Sequence, residues 1–296
     1  MGVREMQTLS LDRHRIQWYP GHIAKAERQL KEQLSRVDVV FDVRDARIMQ
    51  STEHPLLKEW TRSKRRFVLV NRIDMVSGSD LAAWRRHFSK TGQAAQTYYT
   101  NGKSGAGVGA VIRAAEALSS DINANRVRRG LKSRPVRACV VGYPNIGKSA
   151  LINRLLKRRV ADSASMPGVT RALRWIRMGQ GLDLLDSPGI IPGNLDDQEA
   201  AARLAACNDI GEASYDNSAV AVHLIERIAT LPRASEAISK VEERYEVEYE
   251  GSTGEDVVWA LADRLFQGDP EKAGHRVLRD YRELRLGRFA LEHPSH

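Results

Sequence analysis

Residues 142–149 constrain the fold of this chain more than any other segment. They read G-x-x-x-x-G-K-S, and they lie between an apolar run at 136–141 and a helix-compatible run at 150–156. A strand, a glycine-rich loop and a helix in this order are the context of a phosphate-binding loop. The glycines let successive backbone N–H groups turn toward phosphate oxygens, and the helix adds the positive end of its dipole. The segment therefore predicts an α/β fold that binds a nucleoside triphosphate.

The side chains of this loop have separate expected roles. Lys148 is long enough to reach the β- and γ-phosphates, and the Ser149 hydroxyl is a ligand for Mg²⁺. A glycine-rich turn that matches by chance is the alternative, and the strand and helix patterns on either side argue against it. The predicted nucleotide-binding residues of the loop are Asn145, Ile146, Gly147, Lys148, Ser149 and Ala150.

Charge and cysteine content narrow the class of protein. The net charge is +9 and the pI is near 9.7; both a polyanionic partner and a solvated basic surface explain this surplus. Two cysteines, Cys139 and Cys207, form neither a disulfide framework nor a zinc site, which fits a reducing compartment. No apolar run approaches the roughly 20 residues of a membrane span, and no secretory signal is visible. We therefore expect a cytoplasmic protein without a membrane partner.

Hydrophobic patterning divides the chain into an α/β part and a helical part. Strand signals fade after about residue 193, where helical patterns take over. Residues 1–15 are predicted to be a flexible segment, and the basic stretch 119–135 is predicted to be a linker. The predicted strands are 37–43, 67–70, 96–99, 136–141, 173–178 and 182–185. The predicted helices are 23–36, 79–89, 108–118, 150–156, 197–208, 217–228, 253–266 and 270–282.

Further short motifs bear on which nucleotide binds. Asn71-x-x-Asp74 follows an apolar strand, and a carboxylate there accepts both guanine N1–H and the exocyclic amino protons, which adenine does not offer. Asp186-x-x-Gly189 ends another strand, so its carboxylate is expected to hold Mg²⁺ and the Gly189 N–H to meet the γ-phosphate. The Thr170 hydroxyl is a further expected Mg²⁺ ligand. Arg72, Thr100 and Asn101 complete the predicted nucleotide-binding set.

The order of these motifs is unusual, because the base-reading motif precedes the phosphate loop. In ordinary GTPases it follows. The arrangement resembles the circularly permuted GTPases, specifically the YlqF/RbgA group of ribosome-assembly GTPases. The resemblance spans most of the chain and includes Trp18-Tyr-Pro-Gly-His22, Asp45-Ala-Arg47, Asn71-Arg-Ile-Asp74, Pro167-Gly-Val-Thr170, Asp186-Ser-Pro-Gly189 and the terminal Arg285-Leu-Gly-Arg288-Phe-Ala-Leu-Glu292.

The resemblance implies an α/β fold with a circularly permuted P-loop GTPase domain over residues 16–195. This domain would contain a mostly parallel six-stranded sheet with helices on both faces. A small all-α C-terminal domain over 196–296 would contact ribosomal RNA. The implied activity is GTP hydrolysis, stimulated by the ribosomal particle, by a factor in late maturation of the large ribosomal subunit. Its partners would be GTP or GDP and the precursor of that subunit with its rRNA.

The sequence departs from common GTPase patterns at two places. Arg72 stands where the family pattern usually has Lys; its planar guanidinium stacks on a base at least as well. Ile190 and Ile191 follow Gly189, and neither side chain can orient a water molecule. The family resemblance therefore makes His22 the candidate for positioning the attacking water. A His that merely starts a helix is the alternative reading. The expected catalytic residues are His22, Lys148, Thr170 and Gly189.

A second ion is implied by the resemblance. Family members with Asn at the position of Asn145 hold a K⁺ ion that stands in for an arginine finger. The alternative is an Asn that only suits a turn. The expected cofactors are therefore Mg²⁺, with Ser149, Thr170 and Asp186 as ligands, and K⁺ at Asn145.

Arginines recur every third residue near the end of the chain. A step of three drifts slowly around a helix, so several of them share one broad face that suits RNA phosphates. A solvated face balanced by Asp280 and Glu283 is the alternative. The predicted RNA contacts are Arg276, Arg279, Arg282 and Arg285.

Three functional classes remain at this point. The first is a GTPase whose hydrolysis releases it from a pre-ribosomal particle, and the second is a GTP-gated checkpoint module in which hydrolysis is incidental. The third, a phosphate-loop kinase or ATP-dependent ligase, leaves Asn71-x-x-Asp74 unexplained. No oligomer signal is evident, so we expect a monomer.

Overall fold

A single six-stranded sheet organises the α/β part of the chain. The computed structural model describes residues 9, 16, 20–156, 174–177, 181–186 and 197–294. The strand order is β3-β2-β1-β4-β6-β5, and all neighbours are parallel except β5 and β6. This confirms the predicted mostly parallel sheet. The strands are β1 Val39–Asp45, β2 Arg65–Asn71, β3 Thr97–Tyr99, β4 Val136–Val141, β5 Arg174–Arg177 and β6 Leu182–Asp186.

All eight predicted helices are present, and three further helices, at residues 57–60, 119–128 and 234–245, were not predicted. Residues 119–135 were expected to be a linker, which is wrong for the first ten of them: they form α5. None of the α5 residues is buried, so the sequence shows no apolar face from which to predict this helix. Hydrogen bonds between the Asn123 side chain and the Arg134 backbone hold it against the following segment. The helices are α1 Pro20–Leu34, α2 Leu57–Trp60, α3 Gly78–Lys90, α4 Val108–Ala117, α5 Ser119–Arg128, α6 Lys148–Leu155, α7 Gln198–Ala206, α8 Asn217–Ala229, α9 Ala234–Tyr245, α10 Gly254–Leu265 and α11 Pro270–Arg282.

The central strand β1 is buried along its whole length. It pairs with β2 on one side and β4 on the other, and α1 packs Leu30 and Leu34 into the core beside Val40. A strand covered on both faces reads as a nearly continuous apolar run, which is why the sequence identified it. The charged residues within it are paired: Asp42 binds Arg44 at 2.8 Å. The core therefore fixes β1 as the rigid centre of the sheet.

The parallel strands end together at one edge of the sheet. Asp45 at the end of β1 lies opposite Asn71 at the end of β2, and Val140 lies opposite Asp186 at the end of β6. The phosphate-binding loop leaves β4 at the same edge, after Val141. In open α/β sheets, ligands bind outside the carboxyl ends of the strands. The register thus brings the separate sequence motifs to one place.

The chain divides into two compact units. One comprises Tyr19–Gly193 with Glu292–His296, and the other comprises Met1–Trp18 with Asn194–Leu291. We call the first the nucleotide unit and the second the helical unit. The predicted domain boundaries near residues 16 and 196 stay a prediction, since residues 187–196 lie outside the described part. Within the described part, no helix has the length and apolar character needed to cross a membrane.

The helical unit contains a buried carboxylate surrounded by arginines. Asp280 is fully buried and accepts hydrogen bonds from Arg244 and Arg276 at 2.9 Å and from Arg285 at 3.1 Å. Burial favours the neutral acid, but the hydrogen bonds from Arg244 and Arg276 outweigh it and hold the pKa of Asp280 below its usual range. The carboxylate therefore ties α9, α11 and the segment after α11 together.

We expect Asp280→Asn to lower the free energy of unfolding of the protein by about 2–3 kcal/mol at pH 7, because arginines around a buried site lose their charged partner. The folded pKa lies below the unfolded value, so this contribution is complete above about pH 4 and is lost as the pH falls further. Urea denaturation at pH 7 and below pH 4 measures it. The control is Glu283→Gln, whose exposed carboxylate binds only exposed arginines; an equal loss in both variants at pH 7 would contradict the assignment.

Candidate nucleotide-binding site

The side chain of Asn71 joins three segments at the carboxyl edge of the sheet. Its Nδ2 donates to the carbonyl of Ile146 at 3.0 Å, in the phosphate-binding loop. Its Oδ1 accepts from the Gly102 N–H at 3.0 Å and from the Thr100 hydroxyl at 3.3 Å. Asn71 is 1% exposed, so these bonds form away from water. The base-reading motif and the phosphate loop, 75 residues apart, are thus one structure.

The phosphate-binding loop has the backbone shape that its glycines predict. Gly147 has φ +97°, and a Cβ added there would lie 2.5 Å from the Nδ2 of Asn71. Only glycine therefore permits the bridge from Asn71 to this loop. Lys148 begins α6, is 7% exposed, and donates from Nζ to the carbonyls of Gly142 and Tyr143 at 3.0 and 2.7 Å. Its ammonium therefore lies within the concave side of the loop.

Arg72 connects the base-reading motif to two neighbours at once. One terminal nitrogen, Nη1, donates to Asp45 Oδ2 at 3.1 Å, and the other, Nη2, donates to the carbonyl of Asn145. Its backbone is left-handed, with φ 61° and ψ 36°. For a residue other than glycine, this backbone conformation costs about 1–2 kcal/mol. It persists because the contacts of the Arg72 side chain stabilise it. A lysine has no planar fork with which to make both bonds in this way.

Asp45 was not among the predicted site residues. Its carboxylate is fully buried and binds Arg47 at 2.8 Å in addition to Arg72. Burial favours the neutral acid, but the charges of Arg47 and Arg72 outweigh it and hold the pKa of Asp45 below its usual range. The signal in the sequence was its position at the end of a buried strand. What the sequence did not contain was the pairing of that strand with β2.

The loop after β3 completes the edge beside the base-reading motif. Thr100 is fully buried and its N–H donates to the Val70 carbonyl at 2.7 Å. The Oδ1 of Asn101 accepts from the N–H groups of Lys103 and Ser104 at 2.8 and 3.0 Å. Asp74 lies in the 3₁₀ turn Ile73–Met75, whose Ile73 N–H donates to the Thr100 carbonyl. The segments that contain the predicted residues 71, 72, 74, 100 and 101 therefore lie side by side at this edge.

The remaining predicted residues are described to different extents. Ser149 and Ala150 lie in the first turn of α6, next to Lys148. The backbone of Asp186 ends β6, and that of His22 lies in the first turn of α1; their side chains lie outside the described part. Thr170 and Gly189 lie outside it altogether.

The arginines predicted to contact RNA have partners within the helical unit. Arg276 and Arg285 bind Asp280, and Arg279 binds Glu283 at 2.9 Å. Arg282 donates to the carbonyls of Ala205 and Ala206 at the end of α7, at 2.8 and 3.0 Å. Such bonds cap a helix C-terminus. RNA contact by these residues stays a prediction.

A basic cavity of about 420 Å³ adjoins two of these arginines. It lies along α11, beside the start of α8 and the residue that follows α10. Its walls combine cationic side chains with an aromatic ring. The lining residues are Asn217, Phe266, Glu271, Lys272, His275, Arg276 and Arg279, so four basic side chains and one carboxylate face the cavity.

Comparisons with known proteins agree with this geometry. A family model described as "50S ribosome-binding GTPase" matches residues 137–257. A crystal structure of GNP-bound YlqF from T. maritima superposes with a TM-score of 0.59 at 21% identity, over 92% of this chain and 99% of that one, which supports the fold.

Two curated relatives are similar over nearly their whole lengths. "Ribosome biogenesis GTPase A" of Bacillus licheniformis is 33% identical over 95% of this chain and 99% of its own. The protein of the same name from Priestia megaterium is 34% identical over 95% of this chain and 97% of its own. With the permuted motif order and the Asn71 bridge already established, these similarities show that the chain belongs to the family of ribosome biogenesis GTPase A.

Proposed function

We propose that this protein is a GTPase that assists ribosome assembly by binding a precursor of the large ribosomal subunit. The observation that carries the proposal is the Asn71 bridge. It holds the motif suited to guanine and the motif suited to phosphates in one rigid edge of the sheet. Such pre-organisation favours a ligand that has both groups. The names of the relatives supply the ribosomal part of the proposal.

In this proposal each side chain binds a different part of the nucleotide. The Asp74 carboxylate accepts from guanine N1–H and the amino group, and Arg72 covers the base. Lys148 and the N-terminal end of α6 bind the phosphates. Thr100 and Asn101 support the base side of the site.

Mg²⁺ fits the oxygen ligands at the phosphate end. It prefers carboxylate and hydroxyl oxygens, which Ser149, Thr170 and Asp186 would provide. The β4–β6 register places the end of β6 beside the strand that leads into the phosphate loop, and Ser149 follows Lys148 in α6. When bound, the ion neutralises charge on the β- and γ-phosphates.

Hydrolysis requires a water molecule held in line with the γ-phosphate. We propose that His22 orients this water and that Gly189 contacts the γ-phosphate. K⁺ at Asn145 would add positive charge near the phosphates. Asn145 has φ 52°, and Arg72 binds its carbonyl, so both its conformation and its neighbour are defined.

The helical unit is the proposed RNA-binding part. Arg279 is the most exposed of the four predicted arginines, with 56% of its side chain accessible, and it lines the basic cavity. Phe266 in the same cavity offers a ring on which an unpaired base stacks. We further propose that the protein acts in the cytoplasm as a monomer.

We expect slow GTP hydrolysis by the protein alone and a severalfold or greater stimulation by purified large ribosomal subunits in KCl buffer. Phosphate release measures the rate, and small subunits are the control. Replacing KCl with NaCl is expected to lower the rate if K⁺ binds at Asn145. Tight GTP-dependent binding to the subunit without stimulation would instead support a GTP-gated checkpoint module, and absence of both would contradict the ribosomal assignment.

We expect Gly147→Ala to weaken GDP binding by about thirtyfold or more, because the added Cβ meets Asn71 and the backbone is left-handed. Fluorescence titration with a labelled GDP measures the affinity. Gly78→Ala is the matched control, since a Cβ at that position meets nothing within 4 Å. Unchanged GDP affinity in Gly147→Ala would show that the Asn71 bridge is dispensable.

We expect His22→Ala to lose most subunit-stimulated hydrolysis while it binds GTP like the wild type, because the imidazole acts on water rather than on nucleotide. General-base groups contribute about 10²–10⁴-fold to such rates. Single-turnover hydrolysis and nucleotide titration separate the two effects. A parallel loss of binding and hydrolysis would point to a role in folding of α1.

A further inference from the structure

Two sequence motifs have no role in the mechanism above, yet they meet in the nucleotide unit. One is Asp45-Ala-Arg47, which begins the buried loop after β1. The other is the segment that ends in Glu292. The Glu292 carboxylate accepts from the N–H of Gln50 at 2.6 Å, from the N–H of Ser51 at 3.1 Å and from the Ser51 hydroxyl. Glu292 is 3% exposed, so this contact is largely shielded from water.

We propose that Glu292 is a positioning residue of the nucleotide site. It fixes the loop of residues 46–52, the loop fixes Asp45, and Asp45 fixes the guanidinium of Arg72 over the base position. The proposal rests on guanine nucleotide binding as proposed above. It adds a determinant of affinity that follows the helical unit in the sequence and touches no nucleotide.

The first step of this connection is the loop itself. Its N–H groups at 50 and 51 point to one side, and a carboxylate that accepts two of them forms strong charge-assisted bonds. The backbone of Glu292 is held independently, because Trp84 Nε1 donates to its carbonyl at 3.3 Å. Without an acceptor at Glu292, the loop would have two N–H donors that lose their partner.

The second step runs from the loop to Asp45. The Thr52 hydroxyl donates to the Ile48 carbonyl at 2.7 Å and accepts from the Asp45 N–H at 3.1 Å. The Ala46 N–H donates to the carbonyl of Asn71 at 3.0 Å. Ile48 and Thr52 are at most 1% exposed, so a displaced loop cannot simply rearrange into solvent. A shift at residues 50 and 51 is therefore transmitted to Asp45.

The third step is the ion pair between Asp45 and Arg72. Arg72, within the base-reading motif, binds Asp45 through one terminal nitrogen and the Asn145 carbonyl of the phosphate loop through the other. Its left-handed backbone depends on such contacts. When Asp45 is held less firmly, Arg72 is less ordered in the free protein. Nucleotide binding must then order Arg72, and the entropic cost of that ordering lowers the affinity.

The test compares GDP affinity of the full-length protein and Glu292→Gln, which keeps the size of the side chain but turns a donor toward the N–H groups. We expect a loss of about five- to tenfold, the effect of about one hydrogen bond. His293→Ala is the matched control, since it alters the adjacent residue and leaves Glu292 in place; we expect wild-type affinity. Glu292→Ala tests the same contact without the added donor.

A double-mutant cycle with Arg72→Ala separates positioning from general destabilisation. We expect Glu292→Gln to have little further effect on GDP affinity once Arg72 is absent. An equal effect with and without Arg72, or no effect of Glu292→Gln and Glu292→Ala in the wild-type background, would overturn the proposal. Failure of the wild type itself to bind GDP would instead overturn the proposed function, and this inference with it.

Discussion

The nucleotide site depends on the hydrogen bonds that the side-chain amide of Asn71 makes. A primary amide has donors at one end and an acceptor at the other, so it satisfies a carbonyl and an N–H group at the same time. Asn71 uses the two ends for Ile146 in the phosphate loop and Gly102 in the loop after β3. Since it is buried, any loss of one bond leaves an unsatisfied polar group in the core. The strands bring these loops near one another, and the amide sets their relative positions.

Much of this arrangement could be predicted from the sequence, for definite physical reasons. β1 and β4 read as apolar runs because they are buried, and Gly142 and Gly147 mark the loop because they have backbone angles suited to glycine. The permuted order of the motifs was readable because each motif is short and contiguous. The pairing order of the strands was not, since apolar runs carry no information about their neighbours. The Asp45–Arg72 ion pair follows from that pairing and so was missed. Helix α5 was missed because none of its residues is buried.

The arginines of α11 show how a sequence pattern can mix two roles. Their spacing suits a cationic helix face, but Arg282 binds the end of α7 and Arg276 helps neutralise the buried Asp280. A guanidinium has five donors, so one bond to a carboxylate does not exhaust it. Structural and RNA-binding roles therefore need not compete at Arg276 or Arg279, which also line the cavity beside Phe266.

The position of Glu292 near the end of the chain determines when one contact of the nucleotide unit becomes available during synthesis. Ser51 and Glu292 are 241 residues apart, and the larger part of the helical unit, residues 194–291, is encoded between them. During synthesis the sheet and both nucleotide motifs emerge long before the carboxylate that completes the loop after β1. Contacts between residues so far apart in the sequence carry a loop-closure cost and slow folding. The nucleotide unit therefore gains this contact only after residues 194–291 have been translated, so the positioning role proposed for Glu292 would be available to a newly made molecule only once its second half is present.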